Sequence, residues 1–212
     1  MSRFQGKVIT VTDAASGIGY AIAQHLANLG ARLSITDIST EGLATTAAEL
    51  ESIIGKENLS SQALNIADRP AVESWITSTI TYFGRLDDSV NAADVNVKGM
   101  LNLVRVQLRY LTGAVERKEI ETASVVVFGS AASVTGAPSL SVYTTILVGP
   151  IDTPTLRNVV SKERMKILSS AIPLGRIGTA KEVVGLVTYL LDENSGFTTG
   201  AVHNVDRGIP TA

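Results

Sequence analysis

Four times between residues 7 and 128 a short β-branched or apolar run gives way to a stretch of helical periodicity, and this alternation constrains the fold more than anything else in the chain. Residues 7–12 (KVITVT) precede a helical pattern over 17–30 that runs through Ile22, His25, Leu26 and Leu29 and stops at Gly30. Residues 32–37 (RLSITD) precede 40–54, which ends at Gly55; residues 59–65 precede 69–83, closed by Gly84. Residues 88–92 lead into a long helix from about Val97 to Arg117, and a strongly apolar strand follows at 124–128. Strands alternating with helices of this length need crossover connections, and crossovers make neighbouring strands parallel. The expectation is an α/β fold: a doubly wound, mostly parallel sheet with helices on both faces, Rossmann-like, in a single domain over residues 1–212.

Composition narrows the chemistry. With 45% hydrophobic and 18% charged residues and a mean hydropathy of +0.24, the chain can bury a core and is no disordered segment. A formal charge of −2 gives no basic field, so neither nucleic acid nor an anionic membrane is an expected partner. The absence of cysteine, with only His25 and His203 as histidines, removes thiol chemistry and makes a metal site unexpected. Residues 1–7 run straight into the first strand, and no window reaches the ~18 apolar residues of a membrane span, so a cytoplasmic location is expected.

Residues 12–19 (TDAASGIG) lie between the first strand and the first helix. Small residues there let the backbone approach a pyrophosphate, and a helix N-terminus offers free N–H groups and positive dipole. Thr12, Asp13, Ser16, Gly17, Ile18 and Gly19 are therefore candidate cofactor-binding residues, although a glycine pair alone also suits a plain tight turn. Asp37 closes the second strand 18 residues after Gly19, where a carboxylate can accept hydrogen bonds from the adenosine ribose hydroxyls; its plain alternative is a turn or capping residue. No arginine stands at Ser16, Ile38 or Ser39 to neutralise a 2′-phosphate, so NAD is expected over NADP.

Later segments extend the pattern. Residues 86–93 (LDDSVNAA), 94–99 (DVNVKG), Phe128-Gly129-Ser130 through Tyr143, Gly149-Pro150-Ile151-Asp152-Thr153, Pro173-Leu174-Gly175-Arg176, and Thr199-Gly200 with Val205-Asp206 follow in an order that resembles the short-chain dehydrogenase/reductases over essentially the whole chain. The resemblance implies an oxidoreductase that moves a hydride between a nicotinamide cofactor and a secondary alcohol or ketone. It implies a small-molecule substrate and a homodimer or homotetramer. It also implies that Tyr143 is the general acid/base, that Ser130 orients the substrate oxygen and that Asn96 holds a water in a proton relay. Ile38, Asn65, Ile66, Asn91, Ala92, Ala93, Pro150, Ile151 and Thr153 would join the cofactor site. A developing alkoxide needs one hydrogen-bond donor and one proton donor at the same oxygen, roles that a serine and a tyrosine can fill. Read singly, Ser130 is a strand-end cap, Tyr143 a half-buried core residue and Asn96 a helix N-cap. Two rival functions stand beside this one: a nucleotide-binding relative without redox turnover, and a cyclase or isomerase using the same pocket.

The chain departs from the family pattern at several points. Asp13 occupies the place of the first glycine of the turn, Asp88 stands near another turn, Asn65 replaces an acid expected near adenine, Arg207 replaces a glycine, and Leu147 stands where a lysine four residues after Tyr143 would lower a phenol's pKa. A positive φ at Asp13 would cost about 1 kcal/mol. The stretches from Ala93 to Asn96 and from Tyr143 to Gly149 are shorter than the family's, so residues are expected to be missing near 93/94 and 145–149.

Overall fold

In the structure, a computed structural model that describes residues 3–92, 97–129 and 143–206, the alternation becomes β1 (Val8–Thr12), α1 (Gly17–Asn28), β2 (Arg32–Asp37), α2 (Thr40–Ile54), β3 (Leu59–Ala63), α3 (Arg69–Phe83), β4 (Asp88–Asn91), α4 (Val97–Glu116) and β5 (Ser124–Gly129). Then follow β6 (Tyr143–Val148), β7 (Ile151–Asp152), α5 (Pro154–Val159), α6 (Lys162–Ala171), β8 (Gly178–Thr179), α7 (Ala180–Leu190) and β9 (Val202–Val205). Local chemistry sets the helix ends. Ser39 caps α2 by accepting from Gly42 N, Asp68 caps α3 by accepting from Ala71 N, and Gly84 ends α3 in the left-handed region at φ 80°.

Seven strands form one sheet in the order β3-β2-β1-β4-β5-β6-β9, and every pairing in it is parallel. The order reverses between β1 and β4, so the C-terminal ends of these two strands flank the crevice where doubly wound folds take ligands. Ile9, Val11, Leu33, Ile35, Val126 and Ile146 pack on one side against α1, α2 and α7; Val8, Val125 and Val127 pack on the other with Trp75 and Ile76 of α3 and Leu103 and Leu111 of α4. That second side also buries polar pairs. Thr10 Oγ1 donates to Ser89 Oγ at 2.8 Å, Ser34 and Thr79 share a 2.7 Å bond, and the amides of Asn91 and Gln107 exchange bonds of 2.8 and 3.1 Å.

Two sequence expectations change. Asp88 is at no turn: it opens β4 and is buried. The stretch from Tyr143 to Gly149 is not a shortened link between strands, because Tyr143 opens β6 and the link is the strand itself. Its ladder runs from Thr145↔Val202 to Val148↔Val205, with Gly149 N bonded to Val205 O. The crossover from β5 instead occupies 130–142, thirteen positions, which meets the minimum of about 10 to 12 for joining parallel neighbours. That crossover and the other expected site of shortening, 93/94, lie outside the described residues.

Candidate active site

The glycine turn sits at the C-terminal end of β1 and is tied to β2. Ala14 N donates to Thr36 O at 3.2 Å, and Ala15 N donates to Asp37 Oδ2 at 2.9 Å. Asp37 Oδ1 accepts from Ser39 N at 2.8 Å. Asp37, only 8% exposed, anchors the turn and the entry to α2, and it lines the cleft. Gly17 adopts φ 59°, a left-handed conformation that strains any side chain. At Gly19 a Cβ would stand 2.2 Å from the Asp13 carbonyl oxygen, so only glycine lets α1 start this close to the strand end. Asp13 itself has φ 56°, the strain anticipated for a non-glycine residue at that place.

The N-terminus of α1 is left available to a ligand. Its cap residue Ser16 is extended and makes no side-chain capping bond, and no acidic residue stands in the first turn. Thr12 Oγ1 is buried at the end of β1 without a hydrogen-bond partner among the described residues. Free helix N–H groups, a turn in which a Cβ would clash, and a carboxylate one strand away are what a dinucleotide's pyrophosphate and ribose require, so the residues present fit that cofactor.

The remaining cofactor candidates divide. Asp13, Thr36, Asp37, Ile38, Leu64, Asn65 and Ile66 wall one cleft of about 70 Å³, with Ile38 73% exposed beside it. Asn65 engages its own turn, its Oδ1 accepting from Ala67 N at 2.9 Å. Thr153 caps α5 through Leu156 N and lies against the glycine turn, 3.4 Å from where a Gly17 Cβ would be. Arg157 grips Asp152 with bonds of 2.6 and 2.7 Å and holds its carboxyl below the usual range, fixing the segment that carries Pro150, Ile151 and Thr153. The Asn91 amide is paired with Gln107 in the core, which leaves its backbone, beside the buried Ala92, to face the cleft. A larger cavity of about 440 Å³ lies between the C-terminal ends of α1 and α2 and includes none of these residues.

Of the catalytic candidates, Asn96 and Ser130 lie outside the described residues, as does Ala93 of the cofactor set; Ser130 directly follows the last residue of β5. Tyr143 is described by its backbone. It pairs with Val125, whereas Thr145 pairs with Val127 and Val127 with Asn91, next after the Val90↔Val11 pair. The Tyr143 backbone is therefore two residues, about 7 Å, below the strand ends that flank the crevice. Leu147, in the expected lysine position, is a strand residue paired between Gly129 and Asn204. Sequence reasoning missed the strand, although YTTILV followed by Gly-Pro is a β-branched run with a turn signal.

This is a doubly wound α/β protein with a glycine turn at its switch point that fits a dinucleotide. The family model for short chain dehydrogenase matches residues 7–95, and that for enoyl-(acyl carrier protein) reductase matches residues 143–210. The short-chain dehydrogenase/reductase aba4 of Botryotinia fuckeliana is 31% identical, with 97% of each chain covered, and the 3-oxoacyl-[acyl-carrier-protein] reductase FabG of Thermotoga maritima is 29% identical over 98% of this chain and 99% of its own. The crystal structure of levodione reductase superposes with a TM-score of 0.82 at 22% identity, covering 97% of this chain and 98% of its own. That of an actinorhodin polyketide ketoreductase variant with NADPH gives 0.83 at 22%, covering 98% of each. The chain belongs to the short-chain dehydrogenase/reductase family, oxidoreductases that transfer a hydride between a nicotinamide cofactor and a ketone or alcohol. The alignment with the Botryotinia protein runs over 252 positions against a chain of 212, so at least 40 positions of that relative have no counterpart here.

Proposed function

We propose that this chain is an NAD-preferring dehydrogenase/reductase acting on a small secondary alcohol or ketone, working as a homodimer or homotetramer in the cytoplasm. The observation that carries the cofactor preference is Asp37: it is fixed by two backbone N–H groups on a cleft that Asp13 also lines and whose wall, among the described residues, has no arginine or lysine. A ribose diol can donate to such a carboxylate, whereas a 2′-phosphate meets like charge. NADP remains the competing cofactor, since one structural neighbour was solved with NADPH. Bound here, the nicotinamide ring would supply or accept the hydride. The chain's own residues would hold the pyrophosphate on the α1 N–H groups and the ribose on Asp37, while Ser130 and Tyr143 would place a hydrogen bond and a proton at the substrate oxygen, and Asn96 a relay water. No described helix is long and apolar enough to cross a membrane.

One observation favours a second reading, a dinucleotide-binding protein without turnover. The Tyr143 backbone lies below the crevice and Leu147 replaces the residue that would lower its pKa. Titration of the full chain with NADH and NADPH, followed by NADH oxidation over a panel of ketones, separates the two. The first reading expects tighter NADH binding and turnover that falls about 10²- to 10⁴-fold in Tyr143→Phe with NADH affinity unchanged. Binding with no turnover on any ketone establishes the second, and absence of dinucleotide binding refutes both.

A further inference from the structure

The wall of the adenosine cleft that faces Asp37 is the turn after β3. Leu64 N donates to Asp37 O at 3.0 Å at its start, and Asn65 closes its far side on Ala67 and Asp68. The Ile66 and Ala67 carbonyls are held from elsewhere. Asn102, in the second turn of α4, donates its amide to both, at 3.1 and 3.2 Å. One turn earlier on the same face of α4 is Gly99, where a Cβ would stand 2.6 Å from Ile66 Cγ1 and 2.8 Å from Cδ1. Glycine and asparagine both weaken a helix interior. Here the two stand three residues apart and touch the same cleft residue, one its side chain and the other its carbonyl.

We propose that Asn102, with Gly99 as its seat, is a positioning residue for dinucleotide binding: it fixes the Ile66 wall of the cleft to α4, the helix that begins directly after Asn96. The proposal rests on the dinucleotide reading above. Ile66 lines the cleft, so its placement decides how tightly the adenosine half is held. An amide is required because it carries two donors and both carbonyls are acceptors; a carboxylate of the same shape carries none at neutral pH.

The test is binding of AMP and of nicotinamide mononucleotide to the full chain, followed by calorimetry, in the wild type and in Asn102→Asp, Asn102→Ser and Gly99→Ala, with melting temperatures measured alongside. Asn102→Asp is expected to weaken AMP about tenfold while nicotinamide mononucleotide stays within about twofold, with Asn102→Ser, which keeps one donor, between Asp and wild type. Gly99→Ala is expected to follow Asn102→Asp, because the added methyl displaces Ile66. A role confined to stability would lower the melting temperature and leave the ratio of the two affinities unchanged, and that result overturns the proposal. Wild-type protein that binds neither AMP nor NAD overturns the dinucleotide reading itself, a failure distinguishable from the first because it needs no variant.

Discussion

The N-terminal ends of β1, β4 and β5 converge on a carboxylate that the fold has trouble keeping charged. Asp88 is 2% exposed; its Oδ1 accepts from Ser124 N at 2.7 Å, while Oδ2 has no hydrogen-bond partner among the described residues and lies 3.6 Å from Lys7 Nζ. Lys7 is shared with Glu193 at 3.8 Å, and the neighbouring Asp87 accepts from Val8 N and pairs with Arg85. Burial pushes the Asp88 carboxyl up from 3.8 to about 7; Lys7 and the Ser124 N–H oppose the rise and the charge on Asp87 adds to it. Because the folded chain holds a proton that the unfolded chain has released, stability from this group is unaffected below about pH 4, falls as pH rises towards 7, and stays reduced above it. At about 1.4 kcal/mol per pH unit the full penalty approaches ~4 kcal/mol. Asn at this position keeps an acceptor for Ser124 N and carries no charge to bury, but gives up the attraction to Lys7. Asp88→Asn is therefore expected to lie within about 1 kcal/mol of the wild type near pH 4.5 and to exceed it by about 1 to 3 kcal/mol at pH 8, part of the ceiling being lost with the ion pair. Urea unfolding of both proteins at half-unit steps from pH 4.5 to 8.5 measures the difference. A stability difference that does not change with pH, or a variant less stable than wild type at pH 8, would refute the reasoning.

Two further perturbations act on the cofactor end. Asp37→Ala combined with Ile38→Arg is expected to raise the ratio of NADP to NAD affinity about tenfold or more, while the lost anchors at Ala15 N and Ser39 N cost about 1 to 3 kcal/mol of stability; unchanged selectivity in paired titrations would remove Asp37 from the cofactor assignment. Gly19→Ala places a methyl 2.2 Å from the Asp13 carbonyl oxygen and is expected to lose NADH binding with a stability loss of about 2 kcal/mol or more, read by titration and thermal melt; retained affinity would show that the turn can open without consequence.

The parts of the fold legible in sequence are those set by neighbours along the chain. β2, α2 and α3 begin and end where the β-branched runs, the caps Ser39 and Asp68 and the terminating Gly55 and Gly84 indicate. The turn at residues 13–16 and the acid at 37 were legible for the same reason, since strand, turn and helix are consecutive. Asn102 and Gln107 carried no such signal: each looks like an ordinary α4 residue until the helix is laid against the turn after β3 or against Asn91. Asp88 likewise gains meaning only from Lys7 and Ser124, which other strands bring to it.

Tyr143 shows how a motif and a local propensity can compete for one residue. Its distance from Ser130 suits a catalytic pair, and its neighbours Thr144, Thr145, Ile146 and Val148 suit a strand; the backbone follows the neighbours. At least 40 positions of the Botryotinia relative are absent here, and the two family models meet this chain on either side of residues 96–142. The cofactor half, β1 to β4, needs only consecutive elements and is matched without interruption. The proposed proton-transfer residues Asn96, Ser130 and Tyr143 fall in or at the edge of the stretch that neither family model matches, so turnover is expected to suffer from shorter connections before dinucleotide binding does. NADH affinity and NADH turnover in the full chain are thus separate quantities, and the gap between them measures how much of the chemistry the shorter connections retain.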